Sequence, residues 1–212
     1  MSGIVDLLKG PMGKMLISGT GAQLGMGEKK ASMAIQSAIP LILGAMKNNA
    51  SSTAGAADLL KALGDKRHGG NILDNLSNIL GGKRIDHDVM QDGAGILGHV
   101  FGGREENVAR AVGKSSGLDL GQAMNILKVV APFVMGFLGK KKRADNINNQ
   151  SGIGDLLGGL LGGGRKNSQS MVNRLLDADG DGSIIDDVAG MLLSGHKKGG
   201  LGDLLGGLLG GK

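Results

Sequence analysis

From Val129 to Leu138 the chain carries ten consecutive residues, VVAPFVMGFL, with no polar or charged side chain. On a 3.6-residue turn such a run points apolar groups to every side, and a helix of that kind has to be surrounded by protein or by lipid. A membrane span needs ~20 mostly apolar residues, about twice this run, so a buried core helix is expected. Lys140, Lys141, Lys142 and Arg143 follow directly, where cations suit the negative end of the helix dipole. Pro132 lies inside the run and is expected to kink or break it, because proline has no N–H to give one turn back. Phe133 and Phe137 are two of the chain's three aromatic residues, and with Ile39, Leu43 and Phe101 they form the expected core.

The same helix occurs earlier. Ala38 to Met46 (AIPLILGAM) aligns with Val130 to Leu138 (VAPFVMGFL), placing Pro40 on Pro132 and Gly44 on Gly136. Gly25-Met26 falls on Gly117-Leu118 at the same offset. This reads as a degenerate internal duplication, two half-bundles whose proline-bearing helices meet in the core.

The remaining segments fit helices too. Pro11 stands at a permissive first helical position, and Gly27-Glu28 opens a long helix through Met33, Ile39 and Met46. Ser51 and Ser52 can cap a helix over Ala56 to Leu63 that Gly64 ends. Ile72, Leu73, Leu76, Ile79 and Leu80 recur at helical spacing up to Gly81. Short helices are expected over Ile96 to Phe101 and Glu105 to Val112, and Asp119 with Gln122 forms a capping-box pattern. No segment alternates as a strand would. The expected fold is all-α, a multihelical bundle with an internal pseudo-duplication, followed by a Gly-rich tail.

Gln91 to Gly103 (QDGAGILGHVFGG) and the helix with Ala131-Pro132 and Met135-Gly136 carry a resemblance. Over residues 1–143 the chain resembles the YidB-like family of bacterial domains of unknown function (DUF937), and its tail is similar to that of longer members. The resemblance implies an all-helical fold and supplies no catalytic residues.

Three motifs imitate catalytic chemistry. Gly93 to Gly98 matches GxGxxG, but that fingerprint needs a strand before it and a βαβ unit around it. Gly113-Lys114-Ser115-Ser116-Gly117 matches GxSxG and ends like a P-loop, yet Val108 stands where a P-loop needs glycine. A helix stop at Gly113 accounts for it better. Asp86-His87-Asp88 reads as a solvated loop, and His99 as a hydrogen-bonded core residue. Nothing joins a nucleophile, a base and an orienting group, so a non-enzymatic protein is expected.

The chain has no cysteine, which excludes disulfides, and no Trp or Tyr on which single-stranded nucleic acid would stack. A net charge of +5 scattered in pairs also speaks against nucleic acid as a partner. The N-terminus has neither the basic nor the long apolar region of a signal peptide, so a cytoplasmic location is expected, with attachment to a membrane surface as an option.

The 42 glycines are roughly three times ordinary usage. The element GDLLGGLLGG occupies Gly154 to Gly163 and returns letter for letter at Gly202 to Gly211. A looser form, G-x-x-D-L-L, starts at Gly3, Gly55, Gly152 and Gly200. Each glycine costs a helix ~1 kcal/mol against alanine, so the element is expected to be helical only where its leucines are buried in a groove, a lipid interface or another copy. The element reads as a low-complexity linker, as a membrane element, or as a docking element whose partner is expected to be this protein itself or another protein, through the leucine faces of 154–163 and 202–211.

Between the copies lies the strongest site pattern. Asp177, Asp179 and Asp181 take positions 1, 3 and 5 of an EF-hand-like loop, Gly182 takes the turn, and Ser183 offers its carbonyl. Val188 stands where the bidentate acid belongs, leaving Asp186 or Asp187 to serve early. Weak calcium binding is expected. The organisation read from the chain is a helical body (1–143), a linker with the first repeat (144–170), an EF-hand-like helix-loop-helix (171–195) and a linker with the second repeat (196–212). The leading function is a helical scaffold or interaction protein; the alternative is a peripheral membrane or envelope-associated protein using the Leu/Gly elements and the basic cluster.

Calcium should shift the Gly182 amide resonance saturably, with a dissociation constant near ~10⁻⁴–10⁻³ M. The double substitution Asp177→Ala/Asp181→Ala should abolish that shift; spectra indifferent to millimolar calcium in the parent would reduce the loop to an acidic turn.

Overall fold

Two glycines set the plan of the molecule. Gly25 and Gly117 sit at φ 66° and 68°, where a side chain is strained. Each ends one helix and starts another by the same bond, Met26 N–H to Gly21 O at 2.9 Å and Leu118 N–H to Gly113 O at 3.0 Å. This six-residue closure is the Schellman stop. The computed structural model describes residues 8–65, 71–82 and 85–162. Within them lie nine helices and no strand: α1 (Pro11–Gln23), α2 (Glu28–Asn49), α3 (Thr53–Gly64), α4 (Asn71–Asp74), α5 (Leu76–Gly81), α6 (His87–Phe101), α7 (Glu105–Ser116), α8 (Leu120–Ala144) and α9 (Gln150–Gly162). The fold is an all-α bundle.

The duplication spans three helices per half. α1–α2–α3 corresponds to α7–α8–α9, with α2 and α8 packed against each other at the centre. Fully buried Ala31, Ile35, Ala38 and Met46 on α2 match fully buried Ala123, Leu127, Val130 and Leu138 on α8. Thr20, buried with no partner for its hydroxyl, occupies the place of Val112. Helix starts correspond too. Ser52 Oγ accepts from Gly55 N at 3.0 Å to begin α3, and Asn149 Oδ1 accepts from Gly152 N at 2.8 Å to begin α9. A side-chain oxygen taking up an orphan N–H in this way is worth ~1 kcal/mol. Asp119 and Gln122 form the full capping box at the start of α8.

α8 runs 25 residues, long and apolar enough by length and composition to cross a membrane, yet 61% of its most apolar window is buried inside the protein. Helices α2, α3, α4, α6 and α7 all pack on it. Of the expected kink or break, the break does not occur: α8 continues through Pro132, and α2 through Pro40. The carbonyl that Pro132 leaves without a donor is that of Lys128, four residues back. Gly93 of α6 lies against that oxygen so closely that a Cβ there would collide with it. The glycine thus directs a Cα hydrogen at the orphaned carbonyl, a weak but real contact.

Elsewhere the boundaries move. The Ile72–Leu80 pattern is two short helices broken at Asn75. α6 begins at His87 rather than Ile96, and it absorbs the whole Gly93–Gly98 motif. α7 passes Gly113 and stops at Gly117, because Gly113 is needed for close approach to Leu118 O, 2.8 Å from where its Cβ would be. Phe101 and Phe133 are buried as expected with Ile39 and Leu43, whereas Phe137 is only partly so.

Gly93→Ala should cost about 1–3 kcal/mol, since the backbone of α8 cannot yield. Gly95→Ala, two residues on and facing open space, should instead gain ~1 kcal/mol of helix propensity. Urea denaturation of both variants measures the contrast, and equal effects would contradict the close α6–α8 approach.

Candidate helix-docking site

Gly154 to Gly162 of the first GDLLGGLLGG element lie in α9, and this helical order has a visible source. α9 packs on α2 and α3. Ile153, Leu157 and Leu160, spaced i, i+4 and i+7, are buried there, with Leu156 and Leu161 partly buried beside them. The leucine face is therefore covered by the chain's own body, and packing carries past Arg143 into the segment read as linker. Gly154, Gly158 and Gly159 would meet nothing if given a Cβ. No close packing demands these glycines, so anchors and cap hold a helix of low intrinsic propensity.

α3 also faces α6 across an open groove of about 1320 Å³. Leu59, Ile72, Val89 and Ile96 line it with apolar surface, and Met46 and Met135 of the two central helices contribute to it. Asp58 from α3 and Asp88 and Asp92 from α6 add carboxylates. Asn49 Nδ2 donates to Val100 O at 3.0 Å, tying the end of α2 to the end of α6. An apolar surface edged by acids suits a helix with an apolar ridge and basic flanks. The sequence did carry a trace of it: Asp88 and Asp92 are one helical turn apart, on the face that also presents Val89 and Ile96.

The structure dissolves the smaller clusters. Asp86 is the N-cap of α6, its carboxylate accepting from Asp88 N at 2.9 Å, so Asp86-His87-Asp88 is a helix start. His99 is exposed rather than core, with Nδ1 2.9 Å from Gly95 O of its own helix. The GxSxG residues end α7, where Ser116 Oγ donates to Val112 O at 2.6 Å and Ser115 Oγ meets Ser37 Oγ at 3.0 Å. Lys140 Nζ reaches Asp74 Oδ1 at 4.0 Å, both exposed, a pairing of small energetic weight. Asp177, Asp179, Asp181, Ser183, Asp186 and Asp187 lie outside the described residues, as does the second repeat. Among the described residues no group of three or more His, Cys, Asp or Glu side chains is placed to hold a metal.

A family model described as "Bacterial protein of unknown function (DUF937)" matches residues 6–141. The match covers the body through most of α8 and ends before α9. No curated protein and no solved structure matched the chain.

The combination Gly158→Ala/Gly159→Ala should raise the thermal midpoint, each alanine contributing ~1 kcal/mol to the docked helix. Asn149→Ala should lower stability by ~1 kcal/mol through loss of the cap. Differential scanning calorimetry checks both signs; destabilisation by the alanines would mean that the glycines are packed.

Proposed function

We propose, for a chain that belongs to the DUF937 family of bacterial proteins of unknown function, that it is a non-enzymatic helix-docking scaffold. The observation that carries the reading is α9 itself: a segment of low helix propensity held on α2 and α3 by Ile153, Leu157 and Leu160. A body that orders one such element is equipped to receive an amphipathic helix. The acid-edged groove between α3 and α6 extends that capacity to a basic one. The Asp177–Asp187 loop, between the two repeats, is the place for weakly bound calcium.

The membrane reading draws on the same leucines and on Lys140 to Arg143. The burial of the α9 leucine stripe against protein favours docking over lipid.

The test uses the full chain with Leu157→Asp, Leu160→Asp, Leu205→Asp and Leu208→Asp, which clears the dock. A synthetic peptide of residues 150–163 should then bind and stabilise the variant, by ~2.7 kcal/mol at one hundred times its dissociation constant. The parent, whose dock is filled, should respond little. Absence of any stabilisation would remove the docking reading, and co-sedimentation of the parent with anionic liposomes would move the argument to the membrane.

A further inference from the structure

We propose that the α9 dock is a shared site, for which the second repeat, Gly200 to Gly211, exchanges with α9 inside one chain. The inference rests on the docking reading and goes beyond it by naming a competitor.

The two copies offer the dock the same anchors. Shifting by 48 residues (Gly154 to Gly202) places Leu201 on Ile153, Leu205 on Leu157 and Leu208 on Leu160, with Asp203 on Asp155. Each side chain buried in the α9 contact thus has an apolar counterpart, two of them identical. The flanking leucines Leu156 and Leu161 recur as Leu204 and Leu209.

What differs is the start of the helix. Asn149 caps α9 through Gly152 N at 2.8 Å, whereas Lys197 stands at the matching place before Gly200. A lysine has no acceptor to offer that N–H. Loss of a cap of this kind weakens the second copy by roughly 2- to 30-fold. The first copy therefore holds the dock at rest, by a margin small enough to be reversed.

Release of α9 is also easy by construction. Gly154, Gly158 and Gly159 lower helix propensity without serving any close contact. Once α9 leaves, residues 144–201 connect the body to the second copy. Even a random coil of that length would average only about 40–45 Å end to end, giving an effective concentration on the order of millimolar. Replacement from within the chain then outruns replacement from another molecule at ordinary protein concentrations.

The chain has no Trp or Tyr, so one introduced tryptophan is the sole emitter. Leu161→Trp, at a partly buried flank of α9, should be shielded from acrylamide, and Leu209→Trp should be quenched as in water. Adding Leu157→Asp/Leu160→Asp to the Leu209→Trp chain should shield the reporter severalfold, independently of protein concentration. Lys197→Asn is the milder variant: by giving the second copy its cap, it should make the 209 reporter partly shielded and the 161 reporter partly exposed, with no loss of helical circular dichroism. A 209 reporter that stays water-like in both variants overturns the exchange. Shielding that grows with protein concentration overturns the intramolecular route in favour of pairing between chains. A 161 reporter quenched as in water in the otherwise unchanged chain removes the dock itself, which separates that failure from failure of the exchange.

Discussion

Everything in the bundle depends on the contact between α2 and α8. Each helix carries a long apolar surface that must be covered, and each supplies part of the apolar surroundings the other requires. Ala31, Ala34, Ile35 and Ala38 are fully buried on one, and Ala123, Ile126, Leu127 and Val130 on the other. Alanines in this set let the backbones approach closely, while the branched residues fill the remaining space. The shorter helices complete the burial. α7 packs on both long helices, α6 covers mainly α8, and α9 covers α2. Such close packing also explains how α8 tolerates a central proline. The carbonyl that Pro132 orphans is covered by a glycine of α6, where water would otherwise be needed to satisfy it.

Beside this centre, α3 takes part in two different surfaces. α3 contributes both to the α9 contact and to the groove shared with α6. One twelve-residue helix therefore borders both the α9 contact and the open groove. The charge distribution separates the two. The chain is basic overall at +5, but the open groove carries Asp58, Asp88 and Asp92, whereas the α9 contact is anchored by Ile153, Leu157 and Leu160. The groove is thus marked by charge, and the α9 contact by the spacing of its apolar residues.

Much of the fold was legible because its signals are local or repeated. The 92-residue offset from Pro40 to Pro132, the serine before α3 and the Asp119–Gln122 box are all readable from neighbouring letters. What escaped depends on contacts between distant segments. Pro132 looked like a break because its carbonyl partner, Gly93, lies on another helix. Gly113 and Gly117 both look like stops, and only the approach of Leu118 to Gly113 shows which one ends α7. G-x-x-D-L-L was visible at Gly55 and Gly152, yet its meaning as the first turn of the third helix in each half needed both helices in place. The groove was least legible, because its walls come from α3 and α6 and neither sequence advertises a concavity. The calcium pattern is a matter of sequence alone, since its residues lie outside those described.

The arrangement of α2 has a consequence for the order of synthesis. α1 and α6 pack on it, but much of its apolar face is covered by α7, α8 and α9, which lie beyond residue 104, with α8 ending at Ala144. At about 5–20 residues per second, a ribosome takes about 5–20 s to travel from the end of α2 to the end of α8. During that interval Ile35, Ile39, Ile42 and Leu43 have no native partner on α8. The first half, though related to the second by the 92-residue offset, leaves that part of α2 uncovered until the second is made. Until α8 is made, α1, α3 and then α6 are the native neighbours that can cover α2 in a nascent chain of this design.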